Sequence, residues 1–241
     1  MEKLEKFQLL LACSVISLGI LFSSMIFASK IQKNENITVT GSAYKIVKSD
    51  SAKVNFTIRT RKPNQKEAYQ HLKTQTPKVI AYLDKKGIEK DDIDVKAING
   101  YNVFKYNEKG YSTNEILAHE ASQMIEIKSD DVLKIKEIST DIQNLIEEGI
   151  NIEVYSPEYF YSDLASIKID LLKEATQDAK QRAKSMLKAA NSNVGKVKSM
   201  RMGVFQITPV DSNMVSDMGI NDTSSIEKKV TAVANVVFKV K

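Results

Sequence analysis

An α+β fold is predicted, on three observations. Several segments alternate apolar and polar residues at period two. Others place apolar residues at helical spacing. The two kinds then recur in the order strand, helix, strand, strand. The expected architecture is two β-α-β-β units, with helices packed on mainly antiparallel sheet, preceded by one N-terminal transmembrane helix.

Phe7–Ser29 contains no charged residue. As a helix, Phe7–Ala28 (FQLLLACSVISLGILFSSMIFA) would be roughly 33 Å long, enough for a bilayer's hydrocarbon core. An uncleaved signal anchor, a signal peptide cut after Ala28, and a lipoprotein signal at Leu10-Leu11-Ala12-Cys13 compete for this stretch. The run exceeds the usual ~7–15 residue apolar core of a cleaved peptide. Cys13 follows almost no apolar lead. The anchor is therefore favoured. Lys3 and Lys6 before it balance Lys30 and Lys33 after it. A short head before a large domain sends that domain across the membrane. Residues 1–6 are read as a cytoplasmic head, 7–29 as a single-pass anchor in the cell membrane, 30–36 as a linker and 37–241 as the folded domain. Residues 30–241 are expected outside the cytoplasm. A secreted or periplasmic product of cleavage is the alternative.

Ile37–Val47 is strand-like, with an interruption at Gly41. Ser51–Arg61 sets Ala52, Val54, Phe56 and Ile58 against polar neighbours, a half-buried strand. Asn64–Lys86 is helical, with Ala68, Leu72, Val79 and Leu83 on one face and Gly87 as C-cap; Pro77 should kink or split it near Thr76. Ile93–Tyr106 and Glu115–Ser129 are strands joined by a hairpin through Asn107-Glu108-Lys109-Gly110. Val132–Glu148 is a helix ended by Gly149, and Ile150–Tyr161 a strand. Asp163–Ala190 is the longest helix, its inner stripe Leu164, Ile167, Leu171, Ala175, Ala179, Ala183, Met186 and Ala190. Val194–Ile207 and Lys228–Val240 close the pattern. The last strand is apolar on both faces, with Val233 and Val237 opposite the main row, as in a central strand or a subunit contact. Thr208–Ile226 has no periodicity and reads as a long loop, functional or disordered.

The chain has 35 Lys+Arg against 30 Asp+Glu, a net charge of +5, too modest and dispersed for a nucleic-acid stripe. One Cys and two His exclude an intrachain disulfide and a Cys-rich or multi-histidine metal site. No nucleophile elbow, phosphate loop, dinucleotide fingerprint or EF-hand pattern occurs. His119-Glu120-Ala121-Ser122-Gln123 begins like a zinc motif but ends in Gln and lies in a strand. Asp91, Asp92 and Asp94 read as a solvated acidic cluster. Tyr101, Phe104, Tyr106 and Tyr111 crowd the hairpin, and Tyr155, Tyr159, Phe160 and Tyr161 the strand after Gly149; sheet packing or a subunit interface outweighs ligand stacking there. No catalytic, cofactor-binding or metal residue is assigned, and no cofactor is expected.

Val39-Thr40-Gly41, Ser49-Asp50-Ser51-Ala52, Ala68, Gly87-Ile88 and Asp92-Ile93 occur in a telling order. Ala175-Thr176-Gln177-Asp178-Ala179-Lys180-Gln181-Arg182-Ala183 follows, then Gly195-Lys196-Val197 and a Val-rich last strand with Phe238. Over roughly residues 37–240 the chain resembles the SIMPL-domain family, the YggE-like bacterial envelope proteins, whose long helix carries A-x-x-D-A-[KR]-x-[KR]-A. Ser49 stands where that pattern has Pro, Ala43 where it has a second Gly, and Lys228 where a Gly often precedes the last strand. The resemblance implies an envelope protein that self-assembles and is linked to oxidative or envelope stress, with no catalytic residues to carry over. The leading expectation is a non-enzymatic, homo-oligomeric, membrane-anchored scaffold. A module binding a small ligand or peptide through its aromatic hairpin or the 208–226 loop comes next, and a hydrolase last.

Overall fold

The computed structural model describes residues 14–24 and 35–241. Residues 14–24 are helical, and Val15, Ile16, Leu18, Ile20, Leu21 and Phe22 on that helix are each 62–69% exposed. No helix among the described residues is long and apolar enough to cross a membrane. The remainder of the predicted anchor, 7–13 and 25–29, lies outside the described residues, as do the head 1–6 and most of the linker.

Thereafter the order is β1 (Asn36–Lys48), β2 (Ser51–Lys62), α1 (Gln65–Lys85), β3 (Ile93–Tyr106), β4 (Ser112–Ser129), α2 (Val132–Asp141), β5 (Ile152–Val154), β6 (Glu158–Phe160), α3 (Leu164–Ala189), β7 (Val194–Met202), β8 (Gln206–Pro209), β9 (Ile220–Asn221) and β10 (Glu227–Val240). One sheet has the order β3-β4-β2-β5, with β6 also on β2. The other has the order β1-β10-β8-β9, with β7 also on β10. β10 runs antiparallel to β7 and β8, β2 to β4, β5 and β6, and β3 to β4, while β8 and β9 are parallel. The chain divides into two compact units. One comprises the described residues up to Ser42 together with Glu174–Gly203 and Val233–Lys241, the other Ala43–Lys173 and Val204–Ala232.

In the larger unit, period-two alternation sends Ala52, Val54, Phe56 and Ile58 of β2 inward. They meet Ala68, Leu72, Val79 and Leu83 of α1 and Val132, Ile135 and Ile138 of α2 in one cluster. Each large side chain so buried contributes roughly 1.5–3 kcal/mol. Asn64 starts α1 by accepting from the Glu67 N–H at 2.9 Å. Gly87, at φ +78°, ends it: its N–H donates to the Asp84 carbonyl and that of Ile88 to Leu83, a Schellman pair. In the smaller unit, Val39, Ala175, Ala179, Ala183, Leu187, Ala234, Val236 and Phe238 are buried.

Several expectations are corrected. α1 runs unbroken through Pro77 rather than splitting at Thr76. Pro77 and Lys73 are exposed, so water can reach the carbonyl that loses its partner. Gly41 does not interrupt β1. The strand expected over Ile150–Tyr161 is two short pieces separated at Tyr155-Ser156-Pro157, where Pro157 lacks a ladder donor. Both pieces pair with β2, in the sheet of the first β-α-β-β unit, so they do not lead a second one; β1 lies beside β10 instead. The strand expected over Val194–Ile207 breaks at Gly203-Val204-Phe205 into β7 and β8. The helix from Val132 tightens to a 3-10 segment after Asp141. On α3, Leu187 rather than Met186 continues the buried row, four residues past Ala183, and Met186 is 55% exposed.

Candidate functional site

Three arrangements organise the polar and exposed residues. The first lies where β1 meets α3. A Cβ on Gly41 would sit 2.1 Å from the Ala175 carbonyl oxygen and 2.7 Å from the Ala179 Cβ. Strand and helix backbones therefore touch, and only glycine on one side with alanine on the other permits it. One residue on, the Ser42 N–H donates to Asp178 Oδ2 at 2.8 Å, which also accepts from Arg182 Nε at 2.8 Å. The Ser42 N–H, then Arg182, hold the Asp178 carboxyl below its ordinary range. The most recognisable sequence motifs are thus a structural joint.

The second arrangement is the β3–β4 arm. β2 pairs β4 only from His119 onward, so β4 residues 112–118 and the end of β3 form a two-stranded ribbon. Tyr106 and Tyr111 are 72% and 69% exposed, and Phe104, Ile116 and Leu117 are exposed as well. At the ribbon's base, β3 carries a register shift between Val95 and Ile98. Gln123 Nε2 donates to the Lys96 carbonyl there at 2.8 Å, and Gln123 Oε1 accepts from the buried Thr76 hydroxyl at 2.7 Å.

The third is a cleft of about 540 Å³ beneath the loop after β8. In β10 the even positions are buried, so Lys229 and Thr231 lie on the other face. Register puts Lys229 opposite Thr208 and Thr231 opposite Gln206. Tyr44 and Ile46 of β1 complete this floor, and Met214 and Val215 of the loop form a wall. The loop is clasped from below. Gln206 Nε2 donates to the Ser216 carbonyl at 2.7 Å, the Ser216 N–H returns to Gln206 Oε1, and Lys229 Nζ donates to the Ser212 carbonyl at 2.9 Å. The Thr208 hydroxyl is buried with no hydrogen-bond partner in the structure.

Behind the loop lies a buried ion pair. Lys228 Nζ donates to the Asp222 carbonyl at 2.7 Å and approaches Asp222 Oδ2 at 3.5 Å. Burial raises the Asp222 pKa, but hydrogen bonds from Ser224 and Ser225 and the charge of Lys228 overcome it, leaving a value of about 2. At Lys228 burial outweighs the attraction of Asp222, and its pKa falls. In the sequence, Lys228 stands out as a departure from a family glycine at the start of the last strand. Its inward register in β10 was the signal for a buried charge that needs a partner.

The remaining singled-out residues are scattered. His119 is half-buried in β4, opposite Lys62 and Asn102. His71 Nδ1 shares a hydrogen bond with the Thr60 hydroxyl at 3.0 Å. Asp91 and Asp92 are exposed in a 3-10 turn, and Asp94 pairs with Lys96. Tyr159 is buried on β6, while Tyr155 is 40% exposed.

Residues 37–238 match the family model SIMPL, described as a protein of unknown function (DUF541). The chain belongs to the SIMPL family. No curated protein matches it. The match spans β1 to nearly the end of β10, so the joint, the arm and the cleft all fall inside the SIMPL domain.

Proposed function

We propose that this SIMPL-domain protein is a non-enzymatic, membrane-tethered, extracytoplasmic protein that self-associates as an envelope scaffold, in the setting of oxidative or envelope stress that the family resemblance implies. The observation that carries self-association is the β3–β4 arm. A two-stranded ribbon is marginally stable alone in water, and this one exposes Phe104, Tyr106, Tyr111, Ile116 and Leu117. Its β3 strand has 14 residues and forms the edge of its sheet among the described residues. Such an edge invites another strand. A second copy suits it: Ala97–Phe104 carries no charge, so antiparallel copies would bring neutral stretches together. The tether rests on the uncharged run Phe7–Ser29. The non-enzymatic reading rests on the lack of any nucleophile–base motif in the sequence.

Light scattering of the full chain tests the scaffold. An oligomer is expected, and Phe104→Lys with Tyr106→Lys should convert it to monomer with circular dichroism unchanged. A wild-type monomer would overturn the reading. Cell fractionation tests the tether: the intact chain should pellet with membranes, and a soluble form beginning at Ser29 would refute it.

A further inference from the structure

The cleft beneath the loop is independent of the arm and of the tether. Its chemistry is unusual for a sheet face. The lining holds one cation, Lys229, and no carboxylate. Directly across the strand pair stands Thr208, 2% exposed, with an unpartnered hydroxyl. Buried hydroxyls almost always find a partner, so an orphan beside a cleft marks a place for one. Opposed residues of an antiparallel pair have Cβ atoms about 5 Å apart, close enough for one two-oxygen anion to engage both side chains. Around this pair Gln206, Ser212, Asn213 and Thr231 add uncharged polar groups, and Tyr44, Ile46, Met214 and Val215 supply open apolar surface. Tyr44 and Ile46 are 64% and 53% exposed, and Met214 and Val215 are 72% and 83% exposed. Exposed Met is adaptable and moulds to varied apolar shapes. The volume falls within the range of small-molecule sites.

We infer that this cleft binds a small amphipathic monocarboxylate, its carboxylate between Lys229 Nζ and the Thr208 hydroxyl and its apolar body along Ile46, Met214 and Val215. Lys229 Nζ has three N–H donors, so it can meet the carboxylate while still donating to the Ser212 carbonyl, which ties the ligand to the loop. The loop, expected from sequence to be functional or disordered, becomes the wall that responds to the ligand.

The test uses the full chain with methyl-labelled methionine, titrated with hexanoate and, as the uncharged control, hexan-1-ol. The Met214 methyl signal should shift saturably with hexanoate and much less with the alcohol. Lys229→Gln should weaken hexanoate about tenfold or more, the usual worth of a charged hydrogen bond. Thr208→Val is the sharper variant. Removing an orphan hydroxyl should leave the free protein as stable or more so, yet weaken hexanoate several-fold; a purely structural Thr208 would not separate the two. Ile46→Glu, at an exposed position away from the Lys229–Ser212 bond, should abolish binding without loss of fold. Equal shifts for acid and alcohol, or a hexanoate affinity unchanged by Lys229→Gln and Ile46→Glu, would overturn the site. Failure here leaves the oligomer measurement untouched.

Discussion

Gly41→Ala is a small change with a large expected cost. The added Cβ would lie 2.1 Å from the Ala175 carbonyl oxygen and 2.3 Å from the Ala179 nitrogen, where ordinary contact begins at 3.4 Å. β1 and α3 must therefore part by about 1.3 Å. The obstacle is helix backbone, which cannot rotate aside. Overpacking costs about 1–3 kcal/mol, and a backbone obstacle puts this case at the upper end, about 3 kcal/mol. At about 2–4 °C per kcal/mol for a domain of this size, Tm should fall by about 6–12 °C. Separation would also stretch the Ser42–Asp178 hydrogen bond. Thermal denaturation followed by circular dichroism measures the loss. Adding Ala179→Gly removes the Cβ at 2.7 Å but neither backbone atom, and a helix-interior glycine costs about 1 kcal/mol itself. The double variant should therefore be no more stable than Gly41→Ala alone. A Tm within about 2 °C of wild type, or full rescue by Ala179→Gly, would refute the claim that backbones touch there.

Asp222→Asn should destabilise the protein by about 3 kcal/mol at neutral pH, because it leaves the Lys228 ammonium buried without its counter-charge; urea denaturation reads this. Asp222 has a folded pKa of about 2 against about 3.9 when unfolded, so its stabilisation is complete above about pH 4 and lost as pH falls toward 2. The variant's stability should fall less steeply than wild type's across that window. Asp50, whose burial raises its pKa but whose hydrogen bonds from Ser162 overcome this, is also lowered, so Asp50→Asn should soften the same acid transition. Gln123→Leu should cost about 1–3 kcal/mol, by leaving the Lys96 carbonyl at the β3 register shift and the Thr76 hydroxyl without that partner; the matching loss in Tm checks it.

Local signals were legible in the sequence wherever one residue's chemistry decided the outcome. Alternation placed the inner face of β2, Gly87 and Gly149 marked helix ends, and the hairpin over Asn107–Gly110 formed. Long-range choices were not legible. Nothing in Ile152–Val154 or Glu158–Phe160 says that these strands join β2 rather than open a second unit, because partner choice depends on residues a hundred positions away. Pro157 and Gly203 were the local signs of broken strands, but the apolar runs around them outweighed those signs. Of the cleft, only its loop was foreseen. Lys229 and Thr208 face each other through a register that requires both strands to be placed first.

Placing β1 beside β10 makes the closing of that sheet a late, long-range step. β10 is the partner of β8 and β7 and the neighbour of β1, so segments far apart in the chain meet on it. Until Glu227–Val240 is in place, β1, β7 and β8 lack the strand that joins them. Closure reaches Val240, whose N–H donates to the Glu35 carbonyl at 2.9 Å. A chain stopped early would keep the β2–β4 sheet and its helices while displaying an unfinished second sheet. Without β10 the strands it joins would present open edges, the kind of surface that pairs with other chains.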